Sequence, residues 1–443
     1  MTTNVCRWVL ALVLVVSGFV KAVDPVGSMY KLQEYVTAFS LGSYSDELLV
    51  FVALLQAALE FLLGICLLMG IYRRFTAWVT PPVMLFFTVL TMMIYWGDDV
   101  ADCGCFGEAF TLSNGQTLVK NVLLLLLAVV VFLGRRRLVY CISSKSRWMV
   151  TIFAIFYIAF TGIVGLSHLP VIDFGPYTAG ADLRALTEGA PGEYSVFDVY
   201  ERGGETREWP EGERPDSSWA YVESRMELVK EPEPAVINDF TLLDWEMDTD
   251  AAPELLADSG YVCVVVIEDV EKASVSSVDK INELYDYCLE DSVPFVAASA
   301  SEDDAIGLWR KRTGAEYPVL WIDGLAARKI VRANPGLLLI KDGAVAGKWN
   351  VADLPAVEEY SVSATGMPDG VYTAVEYMRG WHFWLLLLVL PLLFVVVVDI
   401  VANRKRGGKR GGSQQGNDDG DKAAEAARGN VAQQEPVAGT DDI

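Results

Sequence analysis

Two cysteines separated by one glycine, Cys103-Gly104-Cys105, are the residues of this chain best suited to covalent chemistry. Sulfurs this close can close a small ring, and the glycine tolerates the tight backbone that such a ring needs. Strained, exposed disulfides are oxidising and exchange readily. Three uses stay open: a redox-active dithiol, a structural disulfide closing its loop, and a soft-metal site for an ion such as Cu(I). Asp98, Asp99, Asp102 and Glu108 would raise a thiol pKa and Lys120 would lower it. Nearby charge therefore does not rank the three uses.

A second group of polar residues lies inside apolar stretches. Glu60 sits mid-stretch with Gln56 one turn earlier, so both share a helix face. Charges in lipid are expensive and point into bundles. Glu60 could carry protons, line a quinone pocket, or satisfy an interhelical hydrogen bond. Lys21 and Lys120 stand near the ends of their stretches and have two readings. Either they snorkel to the interface, or they anchor the cysteine loop or an anionic substrate. Glu60, Gln56, Lys21 and Lys120 are thus the candidate lining of a quinone or anion pocket. The two histidines, His168 and His382, flank apolar stretches and read as interfacial packing, since two ligands alone do not specify a metal site.

The elements that must hold these residues are membrane helices. The chain of 443 residues is 52% hydrophobic yet 21% charged, which implies segregated blocks. Six stretches approach the roughly 20 apolar residues a bilayer requires. They are Trp8–Val23, Leu48–Ile71, Phe75–Trp96, Leu118–Leu133, Trp148–Leu166 and Trp381–Val401. The first reads as an uncleaved span, because Lys21 and Asp24 stand where a signal peptidase site would fall. Trp96, Trp381 and Trp384 fit an interfacial aromatic belt. Basic residues cluster at Arg73-Arg74, at Arg135–Arg147 and at Arg404–Arg410, which predicts these loops to be cytoplasmic. Both termini would then lie inside. The loop 97–117 and the long segment 168–380 would face the outside. The tail from Gly407, rich in Gly, Gln, Asp and Ala, reads as disordered.

Segment 168–380 holds 41 of the 58 acidic residues but only 17 of the 35 basic ones, so it carries nearly all of the net charge of −23. Such a lobe repels nucleic acid and other polyanions. Its first part, 168–236, is rich in turn formers and reads as an irregular or β segment. Residues 231–234 look like a linker. The rest is orderly. Tyr261–Ile267 is a buried strand, Ser274–Leu289 has helical spacing, and Val293–Ala297 is a strand. Ala305–Arg312 is a short helix, Pro318–Ile322 a strand, and Leu325–Val331 a helical turn or two. Leu337–Ile340 and Val345–Trp349 form a hairpin about Asp342-Gly343. The order predicts α/β packing.

The run Asn334-Pro335-Gly336-Leu337 through Gly343 resembles the late part of a thioredoxin-like domain, spanning about 237–360. The resemblance implies a cis bond before Pro335. It also implies a Cys-x-x-Cys after the first core strand, where this chain has Glu268-Asp269-Val270-Glu271-Lys272-Ala273 and no sulfur. Such a domain would bind or dock. Cys263 and Cys288 read as buried hydrophobes or a structural pair.

Residues 17–25 (Ser17-Gly18-Phe19-Val20-Lys21-Ala22-Val23-Asp24-Pro25), with Asp102-Cys103-Gly104-Cys105-Phe106-Gly107 and Gln116–Asn121, resemble the DoxX/MauE superfamily, specifically its MauE branch. This resemblance implies a four-helix membrane domain over about 1–135, in an α-helical bundle with two further spans. MauE members are implicated in maturing a disulfide-rich periplasmic subunit, and DoxX members are linked to quinone-coupled sulfur oxidation. A bundle with cysteines beside a thioredoxin-like unit also resembles vitamin K epoxide reductase relatives, in architecture alone. The expectation is a multi-pass protein of a bacterial inner membrane. Its Cys103 and Cys105 would exchange electrons with an extracytoplasmic protein client, and the bundle would pass them to a quinone or a partner. The alternatives are a non-catalytic scaffold and copper handling.

Overall fold

The computed structural model describes residues 2–97, 100, 104, 107, 112–189, 193–210, 213, 215–216, 218–230, 235–245, 247–354 and 380–402. Cys103 and Cys105 lie outside the described residues, as does the tail from 403.

Six helices are long and apolar enough to cross a membrane: α1 (Thr2–Val23), α3 (Asp46–Met69), α4 (Arg73–Gly97), α5 (Asn114–Leu133), α6 (Arg147–Ser167) and α12 (Trp381–Ala402). They coincide with the six predicted stretches, most with longer ends. The first and fourth gain most, because polar turns such as 114–117 extend an apolar core. Ser113 and Gln116 form a capping box that starts α5 at Asn114, four residues before its first apolar position, Leu118.

Between α1 and α3 lies a helix the apolar pattern did not signal, α2 (Pro25–Ala38). Its start is written in Asp24-Pro25. The Asp24 carboxylate accepts from the Gly27 N–H at 2.7 Å, and Pro25 occupies the first helical turn, where its missing donor is no loss.

Helices α1 and α3 form the closest pair of the bundle, and small residues allow it. A Cβ on Gly18 would stand 2.5 Å from the Phe61 nitrogen and 2.6 Å from the Ala57 oxygen. A Cβ on Gly64 would stand 2.7 Å from the Val15 nitrogen. In lipid there is no water to expel between helices, so close van der Waals contact of this kind drives association. Helices α6 and α12 pack onto the pair through Val150, Ala154, Tyr157, Ile158, Leu392 and Val395. Trp384 departs from its predicted place in the aromatic belt. It is fully buried, its carbonyl accepts from the Tyr157 hydroxyl at 3.0 Å, and it packs against Phe19 and Phe160. Trp96 and Trp381 stay exposed.

Most of the remaining described residues build an α/β unit on one end of the bundle. Its seven-stranded sheet runs β10-β9-β6-β7-β8-β4-β5. The strands are β4 (Leu243–Asp244), β5 (Thr249–Asp250), β6 (Tyr261–Ile267), β7 (Phe295–Ser299), β8 (Val319–Trp321), β9 (Gly336–Lys341) and β10 (Ala344–Asn350). Central β6 is parallel to β7 and antiparallel to β9. It is apolar at nearly every position because both sheet faces are covered. Val262, Val264 and Val266 point to one layer, built from α7 (Leu183–Glu188), α8 (Ala252–Ala257) and α11 (Gly324–Ile330). Cys263, Val265 and Ile267 point to the other, built from α9 (Val278–Glu290) and α10 (Asp303–Thr313). Each such fully buried side chain contributes about 1.5–3 kcal/mol. The Asp342-Gly343 hairpin has both turn residues at positive φ, +49° and +72°, and the Asn334–Pro335 bond is cis.

Segment 168–236 is more structured than its composition implied. Leu169, Tyr177 and Leu183 lie in the same core as Val262 and Val264, so the boundary expected at 236 does not separate this part from the α/β unit. The remainder forms a separate antiparallel sheet, β2-β1-β3, of β1 (Glu193–Arg202), β2 (Glu205–Pro210) and β3 (Ala220–Lys230), with β3 exposed along its length. Cys263 and Cys288 are free thiols, both fully buried, with sulfurs 3.6 Å apart. Hydrogen bonding between them, then burial, holds the Cys263 thiol well above the ordinary range.

Replacing Gly18 by Leu should separate α1 from α3. The expected loss is at least the 1–3 kcal/mol typical of overpacking, because the clash is with backbone that cannot rotate away. Thermal unfolding of the detergent-purified protein checks it, and an unchanged midpoint would contradict the close packing.

Candidate functional site

The polar residues singled out on α1 and α3 meet. Lys21 Nζ stands 2.8 Å from Glu60 Oε2 and 3.0 Å from Oε1. Ser17, one turn below Lys21, donates to Glu60 Oε2 at 2.6 Å and accepts from Lys21 at 2.9 Å. Gln56 Nε2 donates to Glu60 Oε1 at 3.1 Å. Glu60 is 1% exposed and Lys21 7%. Lys21 does not snorkel. Its four-carbon stem turns inward, and its ammonium faces the Phe87 ring of α4 at 5.9 Å. The reason is Glu60: a buried carboxylate with no cation would be the costliest group in the bundle. Lys120 is half-buried on α5. Its neighbour Asn121 donates to Thr91 Oγ1 at 2.6 Å, beside the same Phe87 turn.

Three described residues of the cysteine-bearing loop fix its course. Val100 packs with Tyr35, Ala38 and Phe39 at the end of α2. Gly104, between the two cysteines, lies so near α2 that a Cβ would stand 2.9 Å from Lys31 Cγ. Gly107 lies over α1, where a Cβ would stand 3.4 Å from Val20 Cγ1. Both glycines have φ near +55°, a conformation glycine tolerates, and the Gly107 N–H donates to the Gly104 carbonyl at 3.0 Å. Gly104 therefore lies by α2 and Gly107 by the end of α1, beside Val20, one residue from Lys21.

The α/β unit docks on the same helix. Arg332 pairs with Asp24 at 3.2 Å, with side chains 8% and 17% exposed. Arg328 pairs with Glu268 at 2.6 Å, donates to Gln33 at 3.3 Å and lies over the Tyr30 ring at 4.5 Å. The Tyr30 hydroxyl donates to Glu268 at 3.3 Å. Burial, then the Glu268 carboxylate, pushes the Tyr30 phenol far above its ordinary range, so it stays a donor. Glu268 and Asp269 follow strand β6 directly, and Asn334 Nδ2 holds the Asp269 carbonyl at 2.8 Å. Lys272 reaches Asp46 at 3.5 Å, and Lys348 pairs with Asp173. A cavity of about 290 Å³ remains at this seam, lined in part by Asp24, Val171, Lys329, Arg332 and Lys348.

His168 and His382 do not act together. His168 Nδ1 faces Asp353 at 3.0 Å, and His382 lies against Trp381. Among the described residues no group of three metal-ligating side chains occurs.

Sequence reasoning reached Glu60, Gln56 and Lys21 but missed Ser17 as their partner and all of α2. The Ser17/Lys21 spacing of four was a usable signal for the first. Asp24-Pro25 was a usable signal for the second.

Residues 1–134 match the family model of the methylamine utilisation protein MauE. The matched stretch is MauE-like, runs from α1 to the end of α5, and includes the Lys21–Glu60 cluster and the cysteine loop. Helix α6, the α/β unit and α12 lie beyond it. No curated protein and no solved structure matches the chain.

Two outcomes test the geometry. Glu60→Leu or Lys21→Met alone should cost about 3–5 kcal/mol, by stranding the other charge. The double variant should cost clearly less than either single change, as read by unfolding in detergent. Arg332→Ala should loosen the docked unit and raise hydrogen exchange in the first turn of α2 by at least tenfold, measured by mass spectrometry.

Proposed function

We propose that this MauE-like, multi-pass membrane protein exchanges disulfides with protein clients through Cys103 and Cys105. On this reading the loop and the α/β unit face the extracytoplasmic side of a bacterial inner membrane, and both termini are cytoplasmic. The charge of the loops supports that orientation: the basic loops 135–147 and 73–74 lie at the end of the bundle opposite the acidic unit.

The chemistry is a two-electron exchange. A client thiolate attacks one sulfur of the Cys103–Cys105 disulfide and forms a mixed disulfide. The second client thiolate displaces it, leaving a client disulfide and a reduced pair. Reoxidation of the pair releases two electrons and two protons to an acceptor of the quinone class. A bound quinone would supply only that oxidising power. Both Glu60 oxygens and the Lys21 ammonium are already engaged within the protein, so the cluster fits a closed polar centre better than a ring-binding pocket.

The observation that supports this reading best is the placement of the two described glycines of this loop. Gly104 lies against α2 and Gly107 over the end of α1, next to the surface where the α/β unit docks. On this reading that unit is a thioredoxin-like domain that has given up sulfur chemistry and binds. Strand β6, helix α9, strand β7 and the cis-proline hairpin β9–β10 support the likeness. Glu268 and Asp269 stand where that family carries thiols.

A second reading, a scaffold whose disulfide is only structural, draws support from the same docking. A thiol-free α/β unit clamped on α2 needs no redox chemistry. Thiol trapping in intact cells separates the two. If the pair exchanges, its alkylation state should follow added oxidant and reductant, and Cys105→Ser should accumulate a mixed disulfide with client. A pair locked in one state under all conditions, with Cys103→Ser/Cys105→Ser fully active, would establish the scaffold instead.

A further inference from the structure

The end of the bundle away from the α/β unit carries a second cavity, of about 600 Å³. It is lined by Tyr72, Arg73, Arg74, Tyr140, Ser143 and Arg147, among others. Among the described residues no carboxylate pairs with Arg73, Arg74 or Arg147, and the lining contains no acidic side chain. Arg73 lies over the Tyr140 ring at 5.2 Å and donates from Nη1 to the Leu138 carbonyl at 2.5 Å, and Arg147 lies over the Tyr72 ring at 4.9 Å, so neither guanidinium is held by a counter-ion among the described residues. Stacking fixes a guanidinium's plane while leaving N–H donors for another acceptor.

A fourth cation stands behind the wall. Arg7 is fully buried, and Nη1 donates to the Val139 carbonyl at 2.5 Å, whereas Nε and Nη2 have no hydrogen-bond partner. Gly70, which lines the cavity, touches it: a Cβ there would stand 2.4 Å from Arg7 Nη1. A buried guanidinium without an acid is a large uncompensated field. An acid, Asp399, is held beside the cavity by Ser143, which lines it. Asp399 of α12 accepts from the Ser143 N–H at 2.9 Å and from the Ser143 and Ser146 hydroxyls at 2.5 Å each. That carboxylate holds the start of α6.

The surroundings identify which anion. Phe75, on the cavity rim, is 68% exposed, with Trp78 and Trp148 exposed nearby on α4 and α6. All three sit on membrane-crossing helices, at the end where apolar surface gives way to basic residues. A ligand that fits must place a compact negative group among three arginines and apolar chains along an aromatic flank.

We propose that this cavity binds the phosphate of an anionic phospholipid headgroup, with Arg73, Arg74 and Arg147 as its donors and Phe75 flanking the acyl chains. Bidentate guanidinium–phosphate contact is the natural chemistry of such a set. The site is independent of Cys103 and Cys105, so its test does not depend on their reactivity.

The experiment uses the full-length protein delipidated in a neutral detergent. Added phosphatidylglycerol should raise the melting midpoint by roughly 3–6 °C and should remain bound in native mass spectrometry. Phosphatidylcholine should do neither. Arg73→Gln/Arg74→Gln/Arg147→Gln should abolish the shift and the bound lipid. Should the triple variant fold poorly, Arg74→Gln alone, on an exposed side chain, should reduce the lipid retained at least threefold. Equal effects of the two lipids, stabilisation by inorganic phosphate alone, or undiminished binding in the variants would each overturn the assignment.

Discussion

A single ion pair in the hydrocarbon core organises the membrane half of this protein. Glu60 cannot stand bare among apolar helices, and Lys21 is the cation that neutralises it. For the two to meet, α1 and α3 must approach to backbone contact, and Gly18, next to Ser17, three residues from Lys21 and facing Phe61, makes that approach possible. Packing and charge pairing are therefore one constraint. The glycine allows the short distance, and the short distance makes the pair tolerable. Ser17 and Gln56 fill the remaining carboxylate valences, as a buried charge requires.

Above that pair, α2 serves two neighbours. Lys31 lies beneath Gly104 of the cysteine loop, while Tyr30 and Gln33 receive Arg328 of the α/β unit. The place where a thioredoxin-like domain would carry thiols is spent here on a carboxylate, Glu268, held by Arg328 and Tyr30. On the thioredoxin-like reading proposed above, the α/β unit turns toward the bundle the face such domains use on substrates. On the functional reading offered, the sulfur chemistry has moved to the bundle, and the fold that usually performs it has become the adjoining wall.

Much of this was legible in the sequence, for reasons that differ by element. The spans were readable because lipid imposes length and apolarity on every residue of a stretch. Strand β6, with six consecutive apolar residues, and the Asp342-Gly343 hairpin were readable because burial on both faces and positive φ restrict residue choice. Helix α2 was not, because a helix lying across the end of a bundle mixes apolar and polar residues without a clean period. Trp384 was misplaced for a related reason. Position near a span end predicts an interface, yet the partner that buries it, Tyr157, sits 227 residues away in sequence. The inward turn of Lys21 likewise depended on Glu60, 39 residues on. Spacing within one helix suggested each candidate but not their meeting. Segment 168–189 joined the α/β core through three apolar residues too scattered to show a period.

Asp24 does two things with its two oxygens. One receives the Gly27 N–H and so starts α2; the other receives Arg332 and so holds the α/β unit. A carboxylate that loses its arginine regains mobility and water, and its grip on the helix start slackens with it. Departure of the extramembrane lobe and fraying of the helix beneath the cysteine turn are consequently a single event, timed by one aspartate.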